Sequence, residues 1–275
     1  MRFSVRHETL YRYSAPVTLA SHVLRLTPRA GGASLLSRSV IIDPAPKVRR
    51  DLTDRYGNSV TQADFDGLTD RLWIKSRFEL DTAAAPPPVD LAVPPLPWPS
   101  APDDGLAEYR AYDEPDAVVH AFASKLASAS GWAPLAFLDR LNHALFADLK
   151  HDIRAEGAAR TPAQTLAAGR GACRDVTVLF MASCRSLGIP ARFVNGYQAE
   201  ADTPDGRRHL HAWPEAFLPG LGWRGFDPTH GLAVRDGHVA LSAAPEQAAT
   251  MPVEGGFYGD GVASTLEYDV QIASG

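Results

Sequence analysis

The sequence predicts an α+β protein in which a small antiparallel β domain precedes a helix packed on an antiparallel sheet. Three features predict it. Residues 1–85 alternate between polar and apolar side chains with a period of two, as strands with one solvated face do. A proline-rich stretch then breaks the pattern at 86–104, and from 105 onward apolar residues recur at helical spacing before the chain returns to consecutive short strands.

Taken in order, Arg2 to Tyr13 places Phe3, Val5, His7, Thr9, Tyr11 and Tyr13 on one side of a strand. Val40-Ile41-Ile42-Asp43 is a short β-branched run closed by Pro44, and Arg71 to Phe78 alternates again. Between them, Asp54 to Ser59 reads as a turn, with Gly57 and Asn58 suited to positive φ. Pro86, Pro87, Pro88, Pro94, Pro95, Pro97, Pro99 and Pro102 forbid helix or central strand, so 86–104 is expected to be an extended linker. Leu96 and Trp98 within it are expected to pack on a surface. Val118, Val119, Phe122 and Leu126 share a helical face, as do Phe137, Leu138, Leu141 and Leu145 after Pro134. Thr161-Pro162 opens a short helix. Residues 171–190 predict one mainly apolar helix, stopped by Gly188 and Pro190. Strands follow at 191–197, 209–217 and 222–227. The alternating segment 264–272 suits either sheet, so the core domain is taken as 105–275.

The chain has 275 residues, 45% of them hydrophobic and 21% charged, which is ordinary for a globular protein with a sizeable core. A net charge of −5 gives no basic signature for nucleic acid. Charges interrupt the apolar runs near Met1, and no stretch approaches the ~18 apolar residues of a membrane helix, so a cytoplasmic protein with free thiols is expected. Two cysteines exclude a disulfide framework and an all-Cys zinc site within one chain.

Those two cysteines are not equivalent. Gly171-Ala172 puts Cys173 at a helix start, where free N–H groups and the dipole stabilise a thiolate and an oxyanion. His211, in His209-Leu210-His211-Ala212-Trp213, is the best candidate base, and Asp227, in Phe226-Asp227-Pro228-Thr229, the best candidate to orient it. Pairing across the Pro219-Gly220 turn brings the last two together. Cys184, deeper in the same helix, is expected to pack as a small hydrophobe. His209 is expected to share the face of His211, by period two.

At these residues the sequence resembles the bacterial transglutaminase-like superfamily. The matching segments are Gly-Ala-Cys-Arg-Asp at 171–175, Leu-Gly-Ile-Pro-Ala-Arg-Phe-Val-Asn-Gly-Tyr at 187–197, His-Ala-Trp-Pro-Glu at 211–215 and Gly-Trp-Arg-Gly-Phe-Asp-Pro-Thr-His-Gly at 222–231. Upstream, Tyr11-Arg12-Tyr13, Arg25-Leu26-Thr27-Pro28-Arg29 and Asp54-Arg55-Tyr56-Gly57-Asn58 are similar to the β domain that precedes this core in many bacterial members. The resemblance implies a papain-like core and acyl transfer on a peptide or protein amide through a thioester. Cys173 becomes the nucleophile, His211 the acid–base and Asp227 the orienting residue. Many members carry Gln-Asp after the cysteine where this chain has Arg174-Asp175. Arg174, Asp175, His209 and Trp213 are the expected pocket residues, with first-turn capping the alternative role for Arg174 and Asp175 and a place on the rim the favoured alternative for His209. Water and amine are both open as acceptors, hence hydrolase and acyltransferase alike.

Two rival readings come from other classes. Cys173, His209, His211 and His230 supply four potential zinc ligands, at a spacing that matches no common pattern. Alternatively, the fold serves as an inactive binding module, which the presence of all three catalytic residue types disfavours. No dense acidic loop suggests calcium. No cofactor, metal, nucleic acid or membrane partner is expected, and the residues do not indicate an oligomeric state.

Overall fold

The structure, a computed structural model, describes residues 1–83, 93–99, 104–112, 116–154, 157–199, 203 and 205–275. The N-terminal strands are β1 Arg2–Leu19, β2 His22–Leu24, β3 Ala33–Asp43, β4 Val48–Thr53, β5 Ser59–Asp64 and β6 Thr69–Thr82. Helices follow as α1 Ala107–Arg110, α2 Ala117–Ala129, α3 Pro134–Asp148, α4 Pro162–Ala168 and α5 Cys173–Arg185, with the two-residue strands β7 Lys150–His151 and β8 Arg170–Gly171 around α4. The chain then forms β9 Ala191–Gln198, β10 His211–Leu218, β11 Gly222–Asp227, β12 Leu232–Ala233 and β13 His238–Ala244, and ends with β14 Val253–Glu254, β15 Phe257–Tyr258 and β16 Ser264–Ser274.

The period-2 reading of β1 holds. Phe3, Val5, His7, Thr9 and Tyr13 are buried while Arg2, Ser4 and Arg12 are exposed. β1 lies between β6 and β16, all antiparallel, and β3 continues the sheet beyond β6. The segment 264–272 thus joins the N-terminal sheet, with Phe3 opposite Ser274 and Tyr13 opposite Ser264. A second sheet runs β14–β2–β5–β4. The apolar cluster of these strands also takes in Tyr197, Ala199, Val239 and Leu241 from β9 and β13, so it is continuous with the sheet of the core.

The turn before β5 makes a second connection. Gly57 takes φ +78°, but Asn58 does not share the positive φ its residue type suggested. It is instead fully buried and exchanges two hydrogen bonds with the Ala243 backbone of β13, at 3.1 and 2.8 Å. The Asp54 carboxylate accepts from the Tyr56 and Asn58 N–H groups and the Asn58 amide, so the turn is rigid before it docks.

Of the proline-rich stretch, Pro86, Pro87, Pro88 and Pro102 lie outside the described residues. Residues 93–99 lie against the core, as Leu96 and Trp98 suggested. Leu96 is buried, its N–H bonds the Trp132 carbonyl, and the Trp98 N–H bonds the Leu187 carbonyl. Gly188 permits this approach. Its φ is +82°, and a Cβ there would stand 2.2 Å from the Trp98 carbonyl oxygen. Gly188→Ala therefore combines left-handed backbone strain with a clash, and should lower unfolding free energy by about 2 kcal/mol or more in urea titration; a change below about 0.5 kcal/mol would show that this stretch does not hold its place.

α5 is the centre of the core. Val176, Leu179, Phe180, Met181 and Cys184 are buried, because the helix packs on β9 and β10 and is covered by α2, α3 and α4. The sheet beneath it runs β12–β11–β10–β9–β13. This leaves the N-terminus of α5 facing the ends of β10 and β11.

Candidate active site

α4 begins with a capping box between Thr161 and Gln164 and ends at Gly169 in the left-handed region. The chain reverses there and enters α5 after Ala172, so Cys173 is the first helical residue. Its N–H belongs to the first turn, which has no intrahelical acceptor. Cys173 is partly exposed, whereas Cys184 is buried and its thiol is pushed up by desolvation.

Asp175 anchors this turn. Its fully buried carboxylate accepts from the Ala172 N–H at 2.9 Å, the Arg160 N–H at 2.8 Å and the Arg154 guanidinium at 2.9 and 3.0 Å. Gly171 allows the close contact, since a Cβ there would stand 2.9 Å from that of Asp175. The expected pocket role of Asp175 is therefore corrected: every bond it makes holds the loop ahead of the helix. Arg174 stays partly exposed beside Cys173, with Nη1 donating to the Arg154 carbonyl at 2.7 Å.

His211 opens β10 and Asp227 closes β11, and the two strands pair antiparallel from Leu218–Gly222 to Glu215–Gly225. This register carries the His211 Nε2 to 2.8 Å from the Asp227 Oδ2. The other ring nitrogen is left for Cys173, and both His211 and the Ala212 N–H act on the ionisation of its sulfur. Cys173, His211 and Asp227 thus stand in one line, with a hydrogen bond between His211 and Asp227 and mutual electrostatic influence between His211 and Cys173. Burial alone would raise the Cys173 thiol, but the charge and hydrogen bond of His211, the Ala212 N–H and the nearby Arg174 together lower it. Burial likewise opposes a charged His211, yet the Asp227 carboxylate and the sulfur overcome it and raise the imidazole to about 10. Both shifts favour a thiolate–imidazolium pair.

Asp227 is fully buried and takes more than one histidine. Its Oδ1 accepts the N–H groups of Thr229 and His230 at 3.2 and 3.3 Å. Its Oδ2 receives His211, the His230 Nδ1 at 2.9 Å and the His238 Nε2 at 3.0 Å. Burial opposes its charge, but these donors hold the carboxyl well below its usual range. His238, at the start of β13, carries no local motif and is not found by reading the sequence. His151 is a similar case: its ring stands 6.1 Å from that of His230, and burial lowers it.

The structure also places the other two expected pocket residues. Trp213 is buried under the site, not in an open pocket, with its ring 6.0 Å from that of His211 and 5.3 Å from that of His238. It fits because Gly196 has no side chain; a Cβ there would meet the indole at 2.6 Å. His209 precedes β10 and so does not share its face with His211. It bonds Asp205 and the Tyr268 hydroxyl at 2.9 and 3.0 Å instead. This contact brings β16 to the rim, where Tyr268 and Cys173 influence each other's ionisation. Among the described residues, the grouping able to offer three metal ligands is His211, Asp227 and His230, with ligand atoms within 4.8 Å. It includes neither His209 nor Cys173, so the four-ligand set suggested by the sequence is not assembled. A cation would also compete with the present hydrogen bonds for the same atoms.

Comparison with known proteins agrees with this architecture. Residues 3–81 match the bacterial transglutaminase-like N-terminal region and residues 121–228 the transglutaminase-like superfamily. An uncharacterised protein of Mycobacterium tuberculosis is 29% identical over 293 residues, covering 98% of this chain and 92% of its own. One from Mycobacterium leprae is 26% identical, with 98% of both chains covered. The crystal structure of a candidate cysteine protease from Cytophaga hutchinsonii superposes with a TM-score of 0.70 at 19% identity, over 99% of this chain and 90% of that one, and shares the fold.

Proposed function

Because this chain belongs to the transglutaminase-like superfamily, we propose that it is a thiol-dependent acyl-transfer enzyme acting on a peptide or protein amide. The observation that carries the reading is the line Cys173–His211–Asp227 at the start of α5, with Cys173 a partly exposed residue.

In this reading the Cys173 thiolate attacks the amide carbonyl carbon and the carbonyl oxygen becomes an oxyanion. The Cys173 N–H stabilises that charge, aided by the helix dipole. The C–N bond then breaks, the ring proton of His211 that faced the sulfur passes to the departing amine, and an S-acyl enzyme remains. A water or a second amine attacks the thioester and gives its proton to His211, and the thiolate leaves. Asp227 keeps the ring oriented and its positive charge compensated throughout. In this reading Arg174 and Tyr268, each in electrostatic contact with Cys173, meet the flanking parts of a substrate.

The test is to incubate the protein with glutamine-containing and other peptides at pH 6–7, quench in acid and search for adducts by mass spectrometry. The expected result is an acyl adduct on Cys173 that disappears in Cys173→Ala, with Cys184 unmodified. Equal, slow iodoacetamide labelling of Cys173 and Cys184 would instead indicate a binding module that has kept the fold without the reactive thiol.

A further inference from the structure

Three imidazoles converge on one carboxylate oxygen, yet only His211 has a place in the acyl-transfer steps. We infer that His230 and His238 are positioning residues, neutral hydrogen-bond donors that lock the Asp227 carboxylate so that its charge is presented to His211 alone. The inference rests on the thiol reading above and extends it to two residues outside the reacting line.

The argument starts from donor and acceptor counting. An ionised carboxylate has no hydrogen to give, so each ring nitrogen on Asp227 Oδ2 must carry one. His230 is therefore protonated at Nδ1 and His238 at Nε2. Their other nitrogens, His230 Nε2 and His238 Nδ1, are buried and meet no acceptor among the described residues. A second proton on either ring would create a buried N–H without a partner beside an already charged His211, which is costly. Both rings thus stay neutral, and burial holds His238 below the ordinary histidine value. His211 differs because the Cys173 sulfur, on its other side, favours its charge.

The two donors come from separate elements. His230 returns from the turn after Asp227, where its own N–H also binds Oδ1. His238 reaches over from β13, on the far side of β9 from β10. The Trp213 ring packs beside both His211 and His238, whose own rings stand 6.5 Å apart, and limits the movement of both. With Thr229 and His230 N–H groups on Oδ1, the carboxylate is held from several directions and cannot rotate away from His211. The titratable groups facing this network are Cys173, His151, His211, His230, His238 and Asp227 itself. A neutral donor orients the carboxylate without cancelling the charge that supports the imidazolium, whereas an arginine at the same place would do both.

Two measurements test this. In protein labelled with 15N-histidine, at pH 7, the expected tautomers are Nδ1–H for His230 and Nε2–H for His238, each with one bare nitrogen, while His211 carries protons on both. A doubly protonated His230 or His238, or a bare nitrogen towards Asp227, overturns the inference without any mutant having to fold. The second measurement is the rate of Cys173 alkylation across pH 5–10 in His238→Leu and His238→Gln. We expect His238→Leu to slow the reaction about tenfold at pH 6 and to move the acid limb upward, and His238→Gln, which restores an N–H donor, to return within about threefold of wild type. Profiles that overlay the wild type in His238→Leu, even with reduced stability, would reduce His238 to packing. Absence of a fast Cys173 in the wild-type protein is a different outcome, and counts against the thiol reading.

Discussion

Replacing His211 with alanine should slow alkylation of Cys173 about tenfold to a hundredfold at pH 6, and should leave it equal to or faster than wild type near pH 10. The two ends of the profile follow from one cause. An ordinary thiol with a pKa of about 8.5 is only about 0.3% ionised at pH 6. In the wild-type protein the imidazolium of His211 lowers the Cys173 thiol against the effect of burial, so more of it is thiolate. Without it, burial is the dominant influence and the thiol rises. The gain in ionised fraction is partly offset because a low-pKa thiolate is a weaker nucleophile, which is why the expected loss at pH 6 is not larger and why the order reverses in alkali. Amide turnover should fall much further, by on the order of 10⁴, because the leaving amine then lacks its proton donor. Stopped-flow alkylation with site assignment by mass spectrometry reads the first effect. A parallel profile in wild type and variant would mean that His211 does not charge the sulfur.

The largest stability effect belongs to Asp227→Asn. Removing the charge from a buried pair costs about 3–5 kcal/mol, and here the new amide NH₂ group also faces imidazole N–H groups in place of the carboxylate oxygen that accepted them. For a chain of this size that corresponds to a fall in Tm on the order of 10 °C. The pH dependence has a defined sign. The carboxyl of Asp227 is lowered on folding, so its stabilisation is present above about pH 4, the unfolded value, and is lost as pH falls further. His211 is raised on folding, so its share is complete below about pH 6.5 and is lost as pH rises through about 10. The gap in Tm between wild type and Asp227→Asn should therefore be widest between about pH 4 and 6.5 and should narrow towards pH 10. His7, lowered to about 4 by burial between β1 and Tyr197, weakens both proteins in acid and cancels in the difference. A gap that widens in alkali would show that the His211–Asp227 pair is not ionised at neutral pH.

Much of this site was legible because its parts are local. A small-residue turn before a helix places Cys173 at a helix start whatever surrounds it, and the Pro219-Gly220 turn forces β10 and β11 into a register that joins His211 to Asp227. Asp175 was harder to read, since an acidic residue in a first turn suits both a cap and a pocket; Arg154, 21 residues away, decides in favour of the cap. His209 was misplaced because β10 begins two residues later than the alternation suggested. Before that point its ring is drawn to Asp205 and Tyr268.

What the sequence by itself determined is therefore what short-range physics enforces: the strand alternation of β1, the caps and stops of α4 and α5, one cysteine at a helix start and one packed deeper in the same helix, and the order Cys173, His211, Asp227. The tertiary structure decided the contacts made between distant strands. It alone brings His238 to Asp227 across β9 and β10, docks Asn58 on β13 and carries Tyr268 of β16 to the rim. The reason is physical. A turn or a helix cap is fixed by neighbours within a few residues, but a buried polar group is satisfied by whichever donor the packed sheets bring within about 3 Å, and spacing along the chain does not encode that partner.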